Sequence, residues 1–262
     1  MSICSIASGR VTPGFAIVAA LTLALGVAVT TAVFAVVDSV ILRPLPFMEA
    51  DRLMLVRRAL PGAKAAVETS YPEYRDARDG TRAFSGLAAV PSSMQPAVRT
   101  DGDANEPLAV IGASGNLFDV LGARALLGRA LTPDDDRRGA APVIVLGYGT
   151  WERQFGGQRS VLGQRVELNG TRYTVVGVMP RGFEYPRGSE AWIALVPAID
   201  SLVDNPRIAF LNIVGRVRPG VSVEGARQDA EHLLARSVAA AGLANTVSSG
   251  VVELTSLDAE LR

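Results

Sequence analysis

Between Arg10 and Asp38 the chain carries no charged residue, which leaves 27 consecutive positions, Val11 to Val37, free of Asp, Glu, Lys and Arg. A helix over Pro13 to Val37 would run roughly 37 Å at about 1.5 Å per residue, longer than a hydrocarbon core of about 30 Å. This is the length a membrane span requires. Pro13 suits a first helical turn, where its missing N–H leaves no bond unmade. Ala24, Gly26, Ala28, Thr30, Thr31 and Ala32 set small residues at spacings that let another helix approach the backbone closely. Three other readings of the segment stay open. A cleaved signal peptide has a basic start and a short apolar core, whereas here only Arg10 precedes a long run. A buried core helix of a soluble protein is shorter or broken by polar residues. A pilin-like start at Gly14-Phe15 would carry a glutamate where this chain has Ala19. The flanking arginines, Arg10 against Arg43, Arg52, Arg57 and Arg58, do not orient the segment, because large following domains cross largely regardless of charge.

Beyond this segment the chain has the means to build a core, with 262 residues of which 48% are hydrophobic. Lys+Arg and Asp+Glu balance at 26 each with no local basic block, so nothing draws nucleic acid. Cys4 is the sole cysteine and cannot pair within the chain; Lys64 is the sole lysine.

Ile41 to Phe47 contains Pro44 and Pro46, which end the helix and impose an extended, stiff spacer. Leu53 to Arg57 is a short strand. Ser70 then caps a helix, with Glu73 completing a capping box. Phe84 to Val90 and Gln95 to Arg99 are strand-like, with Pro91 and Ser92 between them as turn residues. Pro107 to Ser114 is a further strand. Asn116 to Leu121 forms one or two helical turns stopped at Gly122, and this segment is expected to pack locally. Val143 to Leu146 is a buried strand, and Thr150 to Phe155 a helix ending at Gly156-Gly157. Asn169-Gly170 between Arg165 to Leu168 and Thr171 to Val178 marks a type I′ hairpin. Phe210 to Arg216 is a strand, Ser222 to Ala240 an amphipathic helix with Val221, Ala226, Ala230, Leu233, Leu234 and Val238 near helical spacing on one face, and Val247 to Leu254 a final strand. Hairpins mixed with a few helices indicate an α+β fold and not a doubly wound sheet.

Candidate chemistry fails on specific residues. No Walker loop surrounds Lys64. Gly147-Tyr148-Gly149-Thr150-Trp151-Glu152 approaches a dinucleotide fingerprint, but Glu152 stands where glycine is required and would repel pyrophosphate. Gly112-Ala113-Ser114-Gly115-Asn116 begins like a nucleophile elbow and lacks its last glycine. His232, the sole histidine, falls within the Ser222 to Ala240 helix, where a solvent-facing or half-buried structural role is expected. One histidine and one cysteine make no zinc cluster. Asp134-Asp135-Asp136 lacks the alternation of a calcium loop and fits a solvated turn or helix start. Trp151, Phe155, Phe183, Tyr185 and Trp192 are expected as core or interface anchors. No catalytic, cofactor-binding or metal-ligating residue is assigned, and the chain is expected not to be an enzyme.

Several short segments together resemble one family. They are Pro13-Gly14-Phe15 with Leu21 to Gly26, Leu42-Arg43-Pro44-Leu45-Pro46, Ser70-Tyr71-Pro72-Glu73-Tyr74, Asn116 to Gly122, Gly128-Arg129, Trp151 to Gly157, Leu162-Gly163, Leu168-Asn169-Gly170 and Tyr173 to Pro180, reaching Gly182-Phe183. In order and spacing the chain resembles the N-terminal part of MacB-like ABC transporter permeases, of the duplicated type without a fused ATPase. The resemblance implies a short segment over residues 1–12, a transmembrane helix over 13–40 and a mixed α/β periplasmic core domain with antiparallel hairpins over 41–262. It also implies the bacterial inner membrane as location, with the bilayer, the remaining permease helices and a separate ATPase subunit as partners, in an assembly that can be oligomeric. Relatives have an Arg-rich cytoplasmic stretch before the first helix, and here only Met1 to Arg10 stands there. The chain ends about where a linker to a second membrane helix is expected. The function expected is an anchored extracytoplasmic part of a permease acting through contacts and movement; the alternative is an independent membrane-tethered module that binds a ligand or partner. An anchored hydrolase would need a nucleophile beside a base, which one histidine barely permits.

Overall fold

A computed structural model describes residues 22–28, 47–59, 66–100, 107–242 and 251–261. Residues 1–44, with Arg262, form one unit and Leu45–Leu261 a second. In the first, residues 22–28 are helical and exposed. The rest of the apolar segment, Cys4, the Pro44 to Pro46 spacer, Lys64 and the start of the expected final strand lie outside the described residues. No described helix is long and apolar enough to cross a membrane.

The second unit begins with β1 (Leu53–Ala59), β2 (Ala66–Val67), β3 (Thr69–Ser70), α1 (Tyr71–Gly80) and β4 (Phe84–Pro91). It continues through β5 (Gln95–Val98), β6 (Pro107–Ala113), α2 (Leu117–Leu121), β7 (Leu127–Gly128), β8 (Val143–Leu146), α3 (Tyr148–Phe155), β9 (Arg165–Leu168), β10 (Thr171–Val178), β11 (Ala191–Ala194) and α4 (Leu195–Ala198). It closes with β12 (Ala209–Val217), α5 (Val223–Ala240), β13 (Val251–Ser256) and α6 (Leu257–Leu261).

Two sheets result. In the first, β13, β1, β12 and β4 lie side by side, all antiparallel, while β2 pairs with β1 and β3 with β12. Its main strands and helices follow the order β1-α1-β4 and β12-α5-β13, the split β-α-β-β-α-β arrangement. The second sheet, in the order β5-β6-β11-β8-β10-β7 with β9 beside β10, is drawn entirely from the stretch between β4 and β12. It is an insertion into the first. This insertion is not made of hairpins alone: β6 runs parallel to β11 and β8 to β10, each pair joined by a long crossover.

Alternation along the strands shows how the layers stack. On β1, Leu53 and Leu55 enter one apolar cluster while Met54 and Val56 enter another; on β4, Ala88 and Val90 alternate with Leu87 and Ala89 in the same way. The second cluster is closed by α1 and α5 through Tyr71, Tyr74, Ala77, Ala226, Ala230, Leu233 and Leu234. The first is closed by the insertion, through Leu117, Phe118, Val120, Leu121, Val143, Val145 and Trp192. The first sheet is therefore buried on both faces, which is why Leu53 to Val56 form an unbroken buried run. Asn116 to Leu121 thus does not pack locally. Its apolar side chains close the far face of a sheet whose strands include β1, starting at Leu53, and β12, starting at Ala209.

Local expectations hold where the deciding residues are adjacent. Ser70 and Glu73 form the capping box of α1, Gly122 closes α2 in the left-handed region, and Ser222 caps α5. At the β9–β10 turn both Asn169 (φ 48°) and Gly170 (φ 80°) are left-handed, as a type I′ turn demands. A Cβ at Gly170 would meet nothing within 4 Å, so only backbone conformation opposes a side chain there. Gly170→Ala is expected to lower stability by about 1–2 kcal/mol, read as a shift in urea midpoint at unchanged slope. An unchanged midpoint would show that the turn holds no left-handed strain.

The reading of Pro91 as a turn residue is corrected, whereas Ser92 does lie in a bend. Pro91 is the last residue of β4 and pairs with Leu211, whereas β5 pairs with β6 in the other sheet. The chain crosses between sheets here, with the Ser92 N–H donating to the Phe210 carbonyl at 2.8 Å.

Candidate functional site: the seam between the two sheets

Backbone and side chain stitch the insertion to the first sheet along β4. The Ser114 N–H donates to the Ala89 carbonyl at 2.9 Å, and the Ala89 N–H donates back to Ser114 Oγ at 2.9 Å. Ser114 Oγ in turn donates to Asn116 Oδ1 at 2.9 Å, and Asn116 Nδ2 donates to the Leu87 carbonyl at 2.8 Å. The Tyr74 hydroxyl reaches the same two acceptors from α1, at 3.3 Å and 3.4 Å. Burial pushes the Tyr74 phenol up to about 12, so it stays a neutral donor. Ser114, the residue of the incomplete nucleophile elbow, is thus a buried structural hydroxyl held by Ala89 and Asn116. His232 is exposed on α5.

Beside this network lies a cleft of about 500 Å³, walled by Tyr71, Arg75 and Arg78 of α1 on one side and by Asp136, Arg138 and Val196 of the insertion on the other. Its arginines are committed to neighbours: Arg78 to Asp79 at 2.8 Å, Arg137 to Asp134 at 3.4 Å, and Arg138 to Asp200 and Asp204 at 2.9 Å and 2.7 Å. The cleft therefore presents balanced pairs and no concentrated positive field. Gly115 also lines the cleft, and a Cβ there would sit 2.3 Å from the Thr132 carbonyl oxygen, so no larger residue fits this backbone.

The aspartate triplet lies in a turn, but not the solvated one expected from its chemistry: only Asp134 is exposed, while Asp135 is buried and Asp136 half-buried, because each accepts hydrogen bonds from the surrounding backbone. Asp135 takes Arg129 in a bidentate pair at 2.6 Å and 2.8 Å and accepts from both the N–H and hydroxyl of Thr132 at 2.8 Å. Asp136 turns inward and accepts from the N–H groups of Gly115 at 2.9 Å and Val196 at 2.6 Å. Burial raises the Asp136 carboxyl above the ordinary value. Burial also opposes ionisation of Asp135, but Arg129 and Thr132 together outweigh it and hold that carboxyl low. Neighbouring aspartates should therefore titrate in opposite senses. Following their side-chain carboxyl carbons by NMR is expected to find Asp136 above the ordinary carboxylate value and Asp135 below it; the reverse order would contradict the burial and pairing described. By linkage, the contribution of Asp136 is fully present below its unfolded pKa and lost as pH rises through the folded one. That of Asp135 is present above its unfolded pKa and lost as pH falls through the folded one. Among the described residues no group of three or more His, Cys, Asp or Glu is placed to hold a metal ion.

The aromatic residues divide. Phe183, Tyr185 and Trp192 join Phe47 and Phe118 in the seam, with Phe47 edge-on to Phe183 at 5.9 Å and to Tyr185 at 6.2 Å. Trp151 and Phe155 pack instead against the outer face of the second sheet. Gly147, the first residue of the near-fingerprint, caps α3 and donates to the Glu190 carbonyl at 2.8 Å. Phe47 and Tyr74 carry no chemical signal in the sequence beyond the family resemblance of the segment around Tyr74, whereas Asn116 ends the incomplete nucleophile elbow and Asp136 the aspartate triplet, neither of which indicates the contacts they make.

Comparison with known proteins agrees with this architecture. The family model of the MacB-like periplasmic core domain matches residues 16–233. Among solved structures, the periplasmic region of MacB from Actinobacillus actinomycetemcomitans is similar at 16% identity, covering 81% of this chain and 92% of that one, with a TM-score of 0.58. A domain of a putative permease protein from Porphyromonas gingivalis is similar at 17% identity, covering 82% and 92%, with a TM-score of 0.56. The extracellular domain of the noncanonic ABC-type transporter YknZ from Gram-positive bacteria is similar at 15% identity, covering 78% and 99%, with a TM-score of 0.53. No curated protein matches the sequence.

Proposed function

Since this chain belongs to the MacB-like periplasmic core domain family, we propose that it is the extracytoplasmic, non-catalytic part of an ABC-type permease, anchored through residues 13–40 and linking contacts outside the membrane to transport driven by a separate ATPase subunit. The observation that carries this reading is the seat of Phe47. It follows the apolar segment and its proline spacer in sequence, yet its ring packs edge-on against Phe183 and Tyr185 of the insertion. Leu257, at the start of α6, is fully buried in the same cluster. Displacement of the insertion against the first sheet would therefore be felt at both residues, and Phe47 leads directly to the proposed anchor. The engaged Ser114 hydroxyl and the exposed His232 favour a role through movement and contact over chemistry.

Two measurements test the reading. Ser201 is exposed, so Ser201→Cys in a Cys4→Ser background is expected to react with a membrane-impermeant maleimide in spheroplasts. Reaction only after lysis would overturn the extracytoplasmic placement. In the full permease reconstituted with its ATPase subunit, Phe47→Ala is expected to lower transport while ATPase binding is kept; unchanged transport would overturn the coupling.

A further inference from the structure

The outer face of the second sheet is only partly covered. Trp151 and Phe155 of α3 close one portion of it. Elsewhere the same face forms the floor of a groove of about 530 Å³, with Val110, Leu168 and Ile193 below and Ile199, Leu202 and Phe210 as its wall. Among the described residues, not one lining this groove is charged, in a chain that is 20% charged, whereas the seam cleft beside α1 is lined by four arginines and two aspartates. Its polar groups are neutral and few, chiefly Gln95, Asn169, Thr171 and Tyr173. Asn169 Oδ1 is already taken by the Val98 N–H at 2.9 Å. Burial pushes the Tyr173 phenol up with no charged group acting on it, so it too is a neutral donor. Volume, apolar walls and a few uncharged polar groups are the attributes of a small-molecule pocket, for which about 300–1,000 Å³ is usual. A charged ligand would lose its hydration here without gaining a counter-charge.

We propose that this groove binds a neutral, largely apolar small molecule. The proposal does not depend on the transporter reading. Its test uses benzophenone as a neutral photoreactive probe on the full chain in nanodiscs, with adducts mapped by mass spectrometry. Saturable adducts are expected on the peptides bearing Tyr173, Ile193 and Ile199 to Phe210. Ile208 and Ala198 are exposed lining residues, so Ile208→Glu and Ala198→Glu place a charge in the groove without entering the core. Each is expected to reduce groove adducts ~10-fold, with an unaltered circular dichroism spectrum and unaltered labelling of the Val11 to Val37 peptides. Val251→Glu, at an exposed apolar site elsewhere, is expected to leave groove labelling unchanged. Groove peptides labelled no more than those bearing the exposed Leu126 and Val251, or labelled equally in the charged variants, would overturn the proposal. So would a self-association that shields the groove and is abolished by Ile208→Glu, which would make a second copy the occupant.

Discussion

Glu73→Ala is expected to destabilise the chain by about 3–5 kcal/mol, the cost of leaving one member of a buried ion pair without its partner. Glu73 and Arg58 face each other at 3.1 Å with side chains only 4% and 6% exposed. Arg58 occupies the helix-facing side of β1, in line with Met54 and Val56, so the position that meets the start of α1 carries a cation in place of a hydrophobe. The other Glu73 oxygen accepts from the Ser70 N–H at 2.8 Å and its hydroxyl at 3.0 Å, completing the cap. Without Glu73 the guanidinium keeps, among the described residues, only the Glu68 carbonyl at 3.4 Å, and its Nε is already buried without a partner among them. Glu73→Gln preserves an acceptor for the cap and removes only the charge, so it should fall between wild type and Glu73→Ala. Arg58→Met with Glu73→Leu should recover much of the loss, because no isolated charge stays behind. Equilibrium urea unfolding of the wild type and these three variants checks this. A loss for Glu73→Ala no greater than about 1 kcal/mol would reduce the residue to an ordinary cap.

Trp192→Ala is expected to cost about 3–5 kcal/mol, as truncation of a fully buried large aromatic does. Trp192 is 0% exposed on the seam-facing side of β11, with ring centroids 5.8 Å from Phe118 and 5.3 Å from Phe183. Its indole N–H donates to the Tyr185 carbonyl at 2.7 Å, fixing the loop that delivers Phe183 and Tyr185 to Phe47. Trp192→Phe keeps much of the apolar volume but removes this hydrogen bond, for an expected loss of about 0.5–1.5 kcal/mol. Fluorescence gives a second readout, since Trp151 is half-buried and Trp192 fully buried. Trp192→Phe should therefore remove the blue-shifted emission and leave the solvent-facing component. Wild-type stability in Trp192→Ala would show that the seam closes without this ring, and the aromatic route from the insertion to Phe47 would lose its support.

What was legible in the sequence is what a few adjacent residues decide between them. The Ser70-Glu73 capping box, the Asn169-Gly170 turn, the stop at Gly122 and the apolar stripe of α5 all depend on backbone conformations or spacings within one or two turns of chain. Arg58 illustrates the limit. Its partner Glu73 was identified from sequence as a cap, but nothing in the pattern of β1 says that Arg58 would be buried against it.

Only the tertiary structure decided which strands pair and what covers each face. A period of two specifies that a strand has two faces and leaves its neighbour unnamed, so the pairing of Leu53 with Arg216 could not be read from either segment. Pro91 looked like a turn because proline ends local pairing, yet it closes β4 on its way into a second sheet. Asn116 to Leu121 looked self-contained because its helix is short, yet its apolar side chains close the far face of the first sheet. The sequence alone determined the apolar segment, the helix caps and the tight turns, where the energy is local and conformational. The insertion, the seam and the ring contacts of Phe47 follow from burial shared between residues from 25 to more than a hundred positions apart, which no short stretch of sequence records.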